Sequence, residues 1–348
     1  MDVQNILVTG GAGYIGSHVL VALIASGYNP LVIDNFTNSS KKSIQNCQKI
    51  TGKLIEVVEG DVGDVEILEN LFTQKNISAV IHLAALKSVN ESCVEPLKYF
   101  KNNVANTLTL VEAMKRNGVH NLIFSSSAAV YGNASVIPLT ENCHTKPTNP
   151  YGASKLMCEE ILKSLVTTCD GQGSDPWKIV NLRYFNPVGA HESGTIGENP
   201  RGAPANLVPY ICEVANGHQE RLKVYGDDYN TPDGTGLRDY IHIMDLAKGH
   251  VSALNWILKL EKNEKCCEVI NLGVGRGISV FEMVKRFEAI TGINIPLKVT
   301  ERRPGDVAES YSSAGKAYSL LGWKTEYSLD QMLGSAWLWR SNYPRGYE

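Results

Sequence analysis

Short apolar runs alternate with stretches of helical spacing through the first half of this chain. Asn5–Thr9, Pro30–Ile33, Leu54–Val58, Ala79–Leu83 and Leu122–Phe124 are runs of the length and composition of buried strands. Between them, the stretch ending near Ser26, the segment Val65–Phe72 and the segment Pro96–Arg116 keep helical spacing, the last closed by Asn117-Gly118. Five strands alternating with helices predict an α/β fold with a parallel, doubly wound sheet that binds ligands at the carboxyl ends of its strands. A further helix opens at Asn149-Pro150, a capping side chain followed by a proline tolerated in the first turn.

The pattern changes from about residue 182. Residues 186–203 are dense in glycine and proline. Leu207–Ala215 then reads as a helix, Leu222–Tyr225 as a strand and Asp227–Thr235 as a polar turn. His242–Trp256 and Val280–Ile290 read as helices, Val269–Leu272 and Leu297–Thr300 as strands. Trp337 and Trp339 suit a last helix packing back on the body. The expected division is 1–180 as the sheet domain and 181–348 as a smaller mixed α/β lobe, with the chain crossing between lobes and ligand in the cleft.

The chain has 348 residues, 43% hydrophobic and 20% charged, enough for a large core. A net charge of −3 without a basic block gives no footprint for nucleic acid. No apolar run approaches the roughly 20 residues of a membrane span, and the first residues are too polar for a signal peptide. A soluble, cytoplasmic protein is expected. The eight cysteines lack Cys-x-x-Cys spacing and read as reduced thiols; the eight histidines lack ligand spacing, so no metal is expected. His242, Asp245 and His250 read as packing and capping residues rather than ligands.

Candidate chemistry enters with Gly10-Gly11-Ala12-Gly13-Tyr14-Ile15-Gly16 between the first strand and helix. Glycines at 10, 13 and 16 suit a tight turn, close approach to a pyrophosphate and helix-on-strand packing. Asp34 follows about 20 residues later at the end of the second strand, placed for the adenosine ribose hydroxyls. It would repel a 2′-phosphate, so NAD is expected over NADP. Asp61 is a candidate for the adenine amine or, equally, for a loop or helix-cap role before Val65. Lys87 follows the small residues Ala84-Ala85 and could reach the cofactor ribose or phosphates. Ser125-Ser126-Ser127 stand at a strand end. Tyr151 and Lys155 are four apart on one helix, and such a lysine would lower the phenol's pKa toward working pH and fit it for proton exchange with a substrate hydroxyl. Taken alone, this spacing also describes an ordinary surface pair.

Taken together, Gly10/Gly13/Gly16, Ser127, Tyr151 and Lys155 resemble the extended short-chain dehydrogenase/reductases. Asp34-Asn35-Phe36, Leu86-Lys87, Asn149–Gly152, Leu182–His191, Gly234–His242 and Arg302–Val307 further resemble the UDP-galactose 4-epimerase family, nearly end to end. The resemblance implies C4 epimerisation of UDP-galactose and UDP-glucose through a 4-keto sugar with tightly held NAD. It implies Tyr151 as acid/base, Lys155 as its partner and Ser127 on the sugar oxygen. It implies a cofactor site of Gly10, Gly13, Tyr14, Ile15, Gly16, Asp34, Asn35, Phe36, Thr37, Asn38, Asp61, Val62, Leu83, Lys87 and Tyr184, together with Tyr151 and Lys155. The implied nucleotide-sugar site comprises Ser127, Ala128, Ala129, Tyr151, Asn186, Asn206, Leu207, Lys223, Val224, Tyr225, Arg238, Arg303, Asp306 and Ser310.

Arginine suits forked contacts with a diphosphate, though Arg238 could instead pair with Asp239 or Asp245, and Arg303 with Asp306. Against the family pattern, Ala129 replaces a threonine and Ala205 an asparagine. The small Ser310 leaves volume for an N-acetyl group, so UDP-GalNAc/UDP-GlcNAc turnover is expected too. The resemblance also implies a homodimer, since the helices near 96–116 and 150–168 lie where related enzymes form a two-fold, four-helix interface. The competing readings are another nucleotide-sugar epimerase, a decarboxylase or a dehydratase, and an NAD-binding sensor without catalysis. A 4,6-dehydratase calls for an Asp-Glu pair where Ala128-Ala129 stand.

Overall fold

A computed structural model describes residues 3–168, 176–199, 202, 204, 206–303 and 306–347. Its centre is a seven-stranded parallel sheet of β1 (Asn5–Thr9), β2 (Asn29–Asp34), β3 (Glu56–Glu59), β4 (Ile77–His82), β5 (Asn121–Ser127), β6 (Lys178–Tyr184) and β11 (Cys266–Leu272), in the order β11-β6-β5-β4-β1-β2-β3. The order reverses beside β1, which opens a crevice at the carboxyl ends of β1 and β4.

Helix α1 (Tyr14–Ala25) packs on one face with α9 (Ile243–Lys259), and α2 (Lys41–Thr51) lies against α1. The apolar side chains there, Val19, Leu20, Leu23, Leu246 and Leu254 among them, share a core with Ile6, Val8 and Ile81 of the sheet. The opposite face carries α3 (Val65–Gln74), α6 (Asn106–Arg116) and α7 (Pro150–Thr168), whose Leu68, Leu110 and Leu162 meet Leu7, Val80 and Leu122. Alternate residues of each strand thus feed opposite cores, which is why these strands read as continuous apolar runs.

Two findings revise the sequence expectation. Position 180 lies inside β6, and the sheet takes two strands, β6 and β11, that pattern alone did not assign to it. The helix expected over Pro96–Arg116 is three pieces: α5 (Pro96–Tyr99), a π-helical segment Phe100–Ala105 and α6, preceded by α4 (Val89–Val94). The wider turn aims Asn103 inward, where it accepts from Leu86 N at 2.8 Å and donates to Leu86 O and Ser154 Oγ, each at 3.0 Å. One buried amide therefore ties the loop before Lys87 to α7, and that bond set is what interrupts the helix.

The second lobe contains α8 (Leu207–Ala215), α10 (Val280–Thr291) and α12 (Leu329–Asn342), whereas α11 (Gly315–Leu321) packs back on β11 and α9. Three parallel pairs complete the lobe: β7 (Asn186–Val188) with β10 (Tyr240–His242), β8 (Leu222–Tyr225) with β12 (Leu297–Thr300), and β9 (Leu237–Arg238) with β13 (Glu309–Ser310). Helix α12 packs on α8 and α10, with Trp339 buried as expected. His242 caps α9 by accepting from Met244 N at 3.0 Å, also as expected. Asp245 instead ties α9 to the chain at Glu326 and Tyr327.

Candidate active site

The glycine turn is shaped by steric demand. A Cβ at Gly16 would lie 2.3 Å from Gly10 O, so helix α1 rests directly on the turn. Gly10 sits at φ +70°, and a Cβ there would meet Ala84 N at 2.8 Å, at the mouth of β4. At Gly13 the nearest neighbour is Gly10 O at 3.3 Å, leaving the turn's outer side open. Gly13 is the N-cap of α1 and supplies no side-chain cap; no acidic residue follows in the first turn. The leading N–H groups, those of Tyr14 and Ile15 included, belong to a helix end that suits an anion. The Tyr14 hydroxyl donates to Gly189 O at 2.7 Å.

Asp34 is buried at the end of β2. Its carboxylate accepts from Ala12 N and Phe36 N, each at 2.9 Å, and from Ser39 Oγ at 2.7 Å. A carboxylate has about four acceptor positions, so these bonds fix its orientation and keep one for a ribose hydroxyl. Phe36 carries the one positive φ (+54°) found at a non-glycine among the described residues, and Thr37 bonds Asn35 Oδ1. Asn38 is exposed. Asn35 also donates to Asp61 at 2.7 Å, and Asp61 accepts from Gly63 N and Asn106. The cap of α3 is Asp64, not Asp61. Val62 is buried beneath this loop, and Leu83 is pinned by Thr9. Lys41 pairs with Glu59 at 2.5 Å, so the nearest cation is engaged away from a ribose 2′ position. The cradle above Gly13, the bare helix start and the fixed carboxylate fit NAD.

At the carboxyl end of β5, Ser127 caps a 3-10 turn formed by Ala128–Tyr131, accepting from Ala129 N at 3.2 Å. Gly152 of α7 packs on this turn; a Cβ there would lie 2.7 Å from Ala129 O. Asn149 accepts from Gly152 N at 2.8 Å, starting α7 as expected and standing Tyr151 over Ser127.

The electrostatics differ from expectation. Burial raises the Tyr151 pKa above its ordinary value, opposed by the Ser127 hydrogen bond and then by the charge of Lys87. Lys155 is buried and turned toward the strand. Its ammonium donates to Ser125 O at 2.6 Å and lies 4.9 Å from the centre of the Phe124 ring, below the strand end. Burial pushes Lys155 down to about 8, against the pull of Cys158 and Glu159. Desolvation thus outweighs the cationic neighbour at this phenol. The Tyr184 hydroxyl bonds His250 on α9, and burial raises its pKa. His250 donates through Nδ1 to Leu246 O at 2.8 Å, which leaves Nε2 to accept from Tyr184.

The second lobe brings Arg238, Arg303, Asp306 and Tyr225 together. Arg303 lies 4.1 Å from the Tyr225 ring centre and 3.6 Å from Asp306. Arg238 reaches Asp306 at 3.7 Å and donates to Leu237 O and Val307 O. Asp239 and Asp245, its other possible partners, are engaged by backbone N–H groups elsewhere. Ser310 is paired opposite Arg238 in the β13–β9 ladder. Asn186 donates to Asp239 O at 2.8 Å. Strand alternation buries the Val224 side chain and exposes Lys223, so Val224 can offer a ligand only its backbone. Asn206 precedes Leu207 at the start of α8. Ala205 lies outside the described residues.

Glu198 was not anticipated. One oxygen accepts from Lys87 at 3.0 Å and from Asn206 at 2.9 Å, joining the two lobes, and Glu198 raises the Lys87 pKa. No motif announces it, since it sits in the glycine- and proline-dense stretch.

An anion-ready helix start, a fixed carboxylate at the end of β2 and a Tyr-x-x-x-Lys helix beside the end of β5 are the features of an NAD-binding extended short-chain dehydrogenase/reductase. The family model described as GDP-mannose 4,6 dehydratase matches residues 7–335. A UDP-glucose 4-epimerase of Neisseria meningitidis serogroup B is 48% identical over 347 residues, 99% of each chain. The UDP-glucose 4-epimerase of Bacillus subtilis is 48% identical over 343 residues, 99% of this chain and 98% of that one. The crystal structure of the Bifidobacterium longum UDP-glucose 4-epimerase, in complex with NAD+ and UDP, superposes with a TM-score of 0.92 at 47% identity, covering 99% of this chain and 100% of that one. This chain belongs to the UDP-glucose 4-epimerase family.

Proposed function

We propose that this protein interconverts UDP-galactose and UDP-glucose by inverting C4, with Tyr151 as the proton-transfer group. The observation that carries the reading is the half-buried cluster at the end of β5, where the Tyr151 phenol meets the Ser127 hydroxyl and the charge of Lys87. Bound NAD supplies the hydride acceptor and donor for C4, by way of a 4-keto sugar, and a cationic ring that opposes the burial penalty on the phenol. Tyr151 takes the C4 hydroxyl proton and later returns it; Ser127 holds the oxygen in line. Lys155, anchored on Ser125 O, supports the charge of the site. Arg238 and Arg303 grip the diphosphate, with Asn186, Asn206, Leu207 and the 223–225 strand around the nucleotide. That grip lets the hexose turn over while its anchor stays fixed. Ala128 and Ala129 offer no carboxylate for C5 deprotonation, which disfavours a dehydratase.

The half-buried, small Ser310 beside Arg238 supports turnover of the N-acetylated pair as well. A homodimer is supported by an outward apolar set near α4–α7: Val94 is 76% exposed, Leu97 80%, Leu108 41% and Met157 47%. No helix of the described residues is long and apolar enough to cross a membrane, and all seven described cysteines are free, which suits the cytoplasm.

The test is incubation of purified protein with UDP-galactose, without added NAD, followed by product separation. UDP-glucose should form, and Tyr151→Phe should abolish it. Bound NAD with no sugar conversion would overturn the reading.

A further inference from the structure

Beneath the catalytic strand end lies an ion pair that the mechanism does not use. Glu159 stands one helical turn beyond Lys155 on α7, and Arg183 faces it from β6; their side chains are 4% and 5% exposed. Arg183 donates Nε to Glu159 Oε1 at 2.9 Å and a second N–H to Oε2 at 2.5 Å, a forked contact. Ser126 donates to Glu159 Oε1, and the Arg183 guanidinium lies 4.8 Å from the centre of the Tyr131 ring, in the turn capped by Ser127. Ser126 sits between the residue whose carbonyl holds Lys155 and the hydroxyl expected on the sugar oxygen. Helix α7, strand β5 and the Ser127 turn, which carry Lys155, Ser125 and Ser127, therefore all touch this pair.

We propose that Glu159 and Arg183 form a positioning device for the catalytic groups, its negative end on α7 keeping the Lys155 ammonium charged and its positive end locking the Ser127 turn. The proposal rests on the assignment of Tyr151 and Lys155 as the proton-transfer machinery. The charge environment agrees with it. Cys158 and then Glu159 favour charged Lys155 against burial, and His82, from β4, is held neutral by its own burial and by the Lys155 charge. The Phe124 ring and Ser125 O of β5 complete the shell, with Tyr151 on the same helix. Arg183 stays charged because the Glu159 bonds overcome its burial. A buried pair that is costly to desolvate is a poor source of stability, which favours a role in geometry and charge.

The test measures kcat, KM and NAD content against pH for holoenzyme carrying Glu159→Gln, and for Glu159→Gln/Arg183→Met, which leaves no unpaired charge if the single variant folds poorly. Both should keep bound NAD and KM within about threefold. Both should move the alkaline limb of kcat down by about one pH unit, the smallest shift ordinary for loss of a close opposite charge. An unmoved limb in the double variant, with Tyr151→Phe inactive, overturns this proposal alone. An active Tyr151→Phe overturns the assignment on which it rests.

Discussion

Adding one methyl group to the glycine turn separates what the fold needs from what the cofactor needs. Gly16→Ala places a carbon 2.3 Å from Gly10 O and 2.7 Å from Gly11 Cα, all backbone, so α1 must lift off the turn. Overpacking of this kind costs about 1–3 kcal/mol, a drop of a few degrees in Tm for the cofactor-free protein. Gly13→Ala meets one atom, Gly10 O at 3.3 Å, and its backbone (φ −72°, ψ 179°) suits any residue. The gain from a stiffer unfolded chain and the loss of a preferred N-cap residue offset to within about 1 kcal/mol. The new methyl instead fills the open side of the turn, where the pyrophosphate must approach the helix end. Loss of one charge-assisted hydrogen bond, about 1.5–3 kcal/mol, weakens NAD roughly ten- to hundredfold. Thermal melts of cofactor-stripped protein and NAD content after gel filtration read the two effects. Gly13→Ala protein that retains NAD like the wild type would refute the reasoning.

Four further outcomes follow from the same structure. Ser310→Tyr should abolish turnover of UDP-GlcNAc and spare UDP-galactose; a wild type inactive on UDP-GlcNAc would reject the pocket argument. Arg303→Met should raise the KM for UDP-galactose by roughly one to two orders of magnitude with NAD content unchanged, since a charged contact to phosphate is lost; equal KM values would place the diphosphate elsewhere. Burial holds His18 and His82 near 3 and His242 and His250 near 4, below an unfolded value of about 6.5. The unfolded chain therefore takes up these protons first: stability is full above about pH 6.5 and falls as the pH drops toward 4, each group contributing up to about 1.4 kcal/mol per unit. Urea titrations across that window should show the slope, reduced by about one proton in His82→Gln; a flat profile contradicts the burial. Replacing Leu97 and Met157 together by Lys should convert a dimer to monomer in sedimentation; an unaltered state places the interface elsewhere.

The sheet core was legible because fully buried parallel strands are apolar throughout, and Ile6–Val8 and Val80–Ile81 are such runs. β6 was obscured by Asn181 and Arg183, polar residues that are buried here because Glu268 O and Glu159 engage them. Periodicity cannot register such partners, which lie in other elements. The π-helical segment escaped for the same reason, its cause being the bonds from Asn103 to Leu86 and Ser154. Among site residues, the glycine turn, Asp34, Tyr151 and Lys155 declare themselves by spacing. The pKa of Tyr151 did not, because spacing places an ammonium on the same helix face without showing that Ser125 O captures it.

The second lobe is built from segments lying between β6 and α9 and after β11, so it has no continuous stretch of chain of its own. A fragment ending at residue 180 would sever β6 midway and lack β11 and α9, leaving Ile123 and Leu254's partners facing water; it should aggregate instead of yielding a cofactor-binding module. The same arrangement frees the sugar-facing loops to vary in length and composition while the hydride chemistry stays on an undisturbed platform, a route by which one scaffold can acquire new nucleotide sugars.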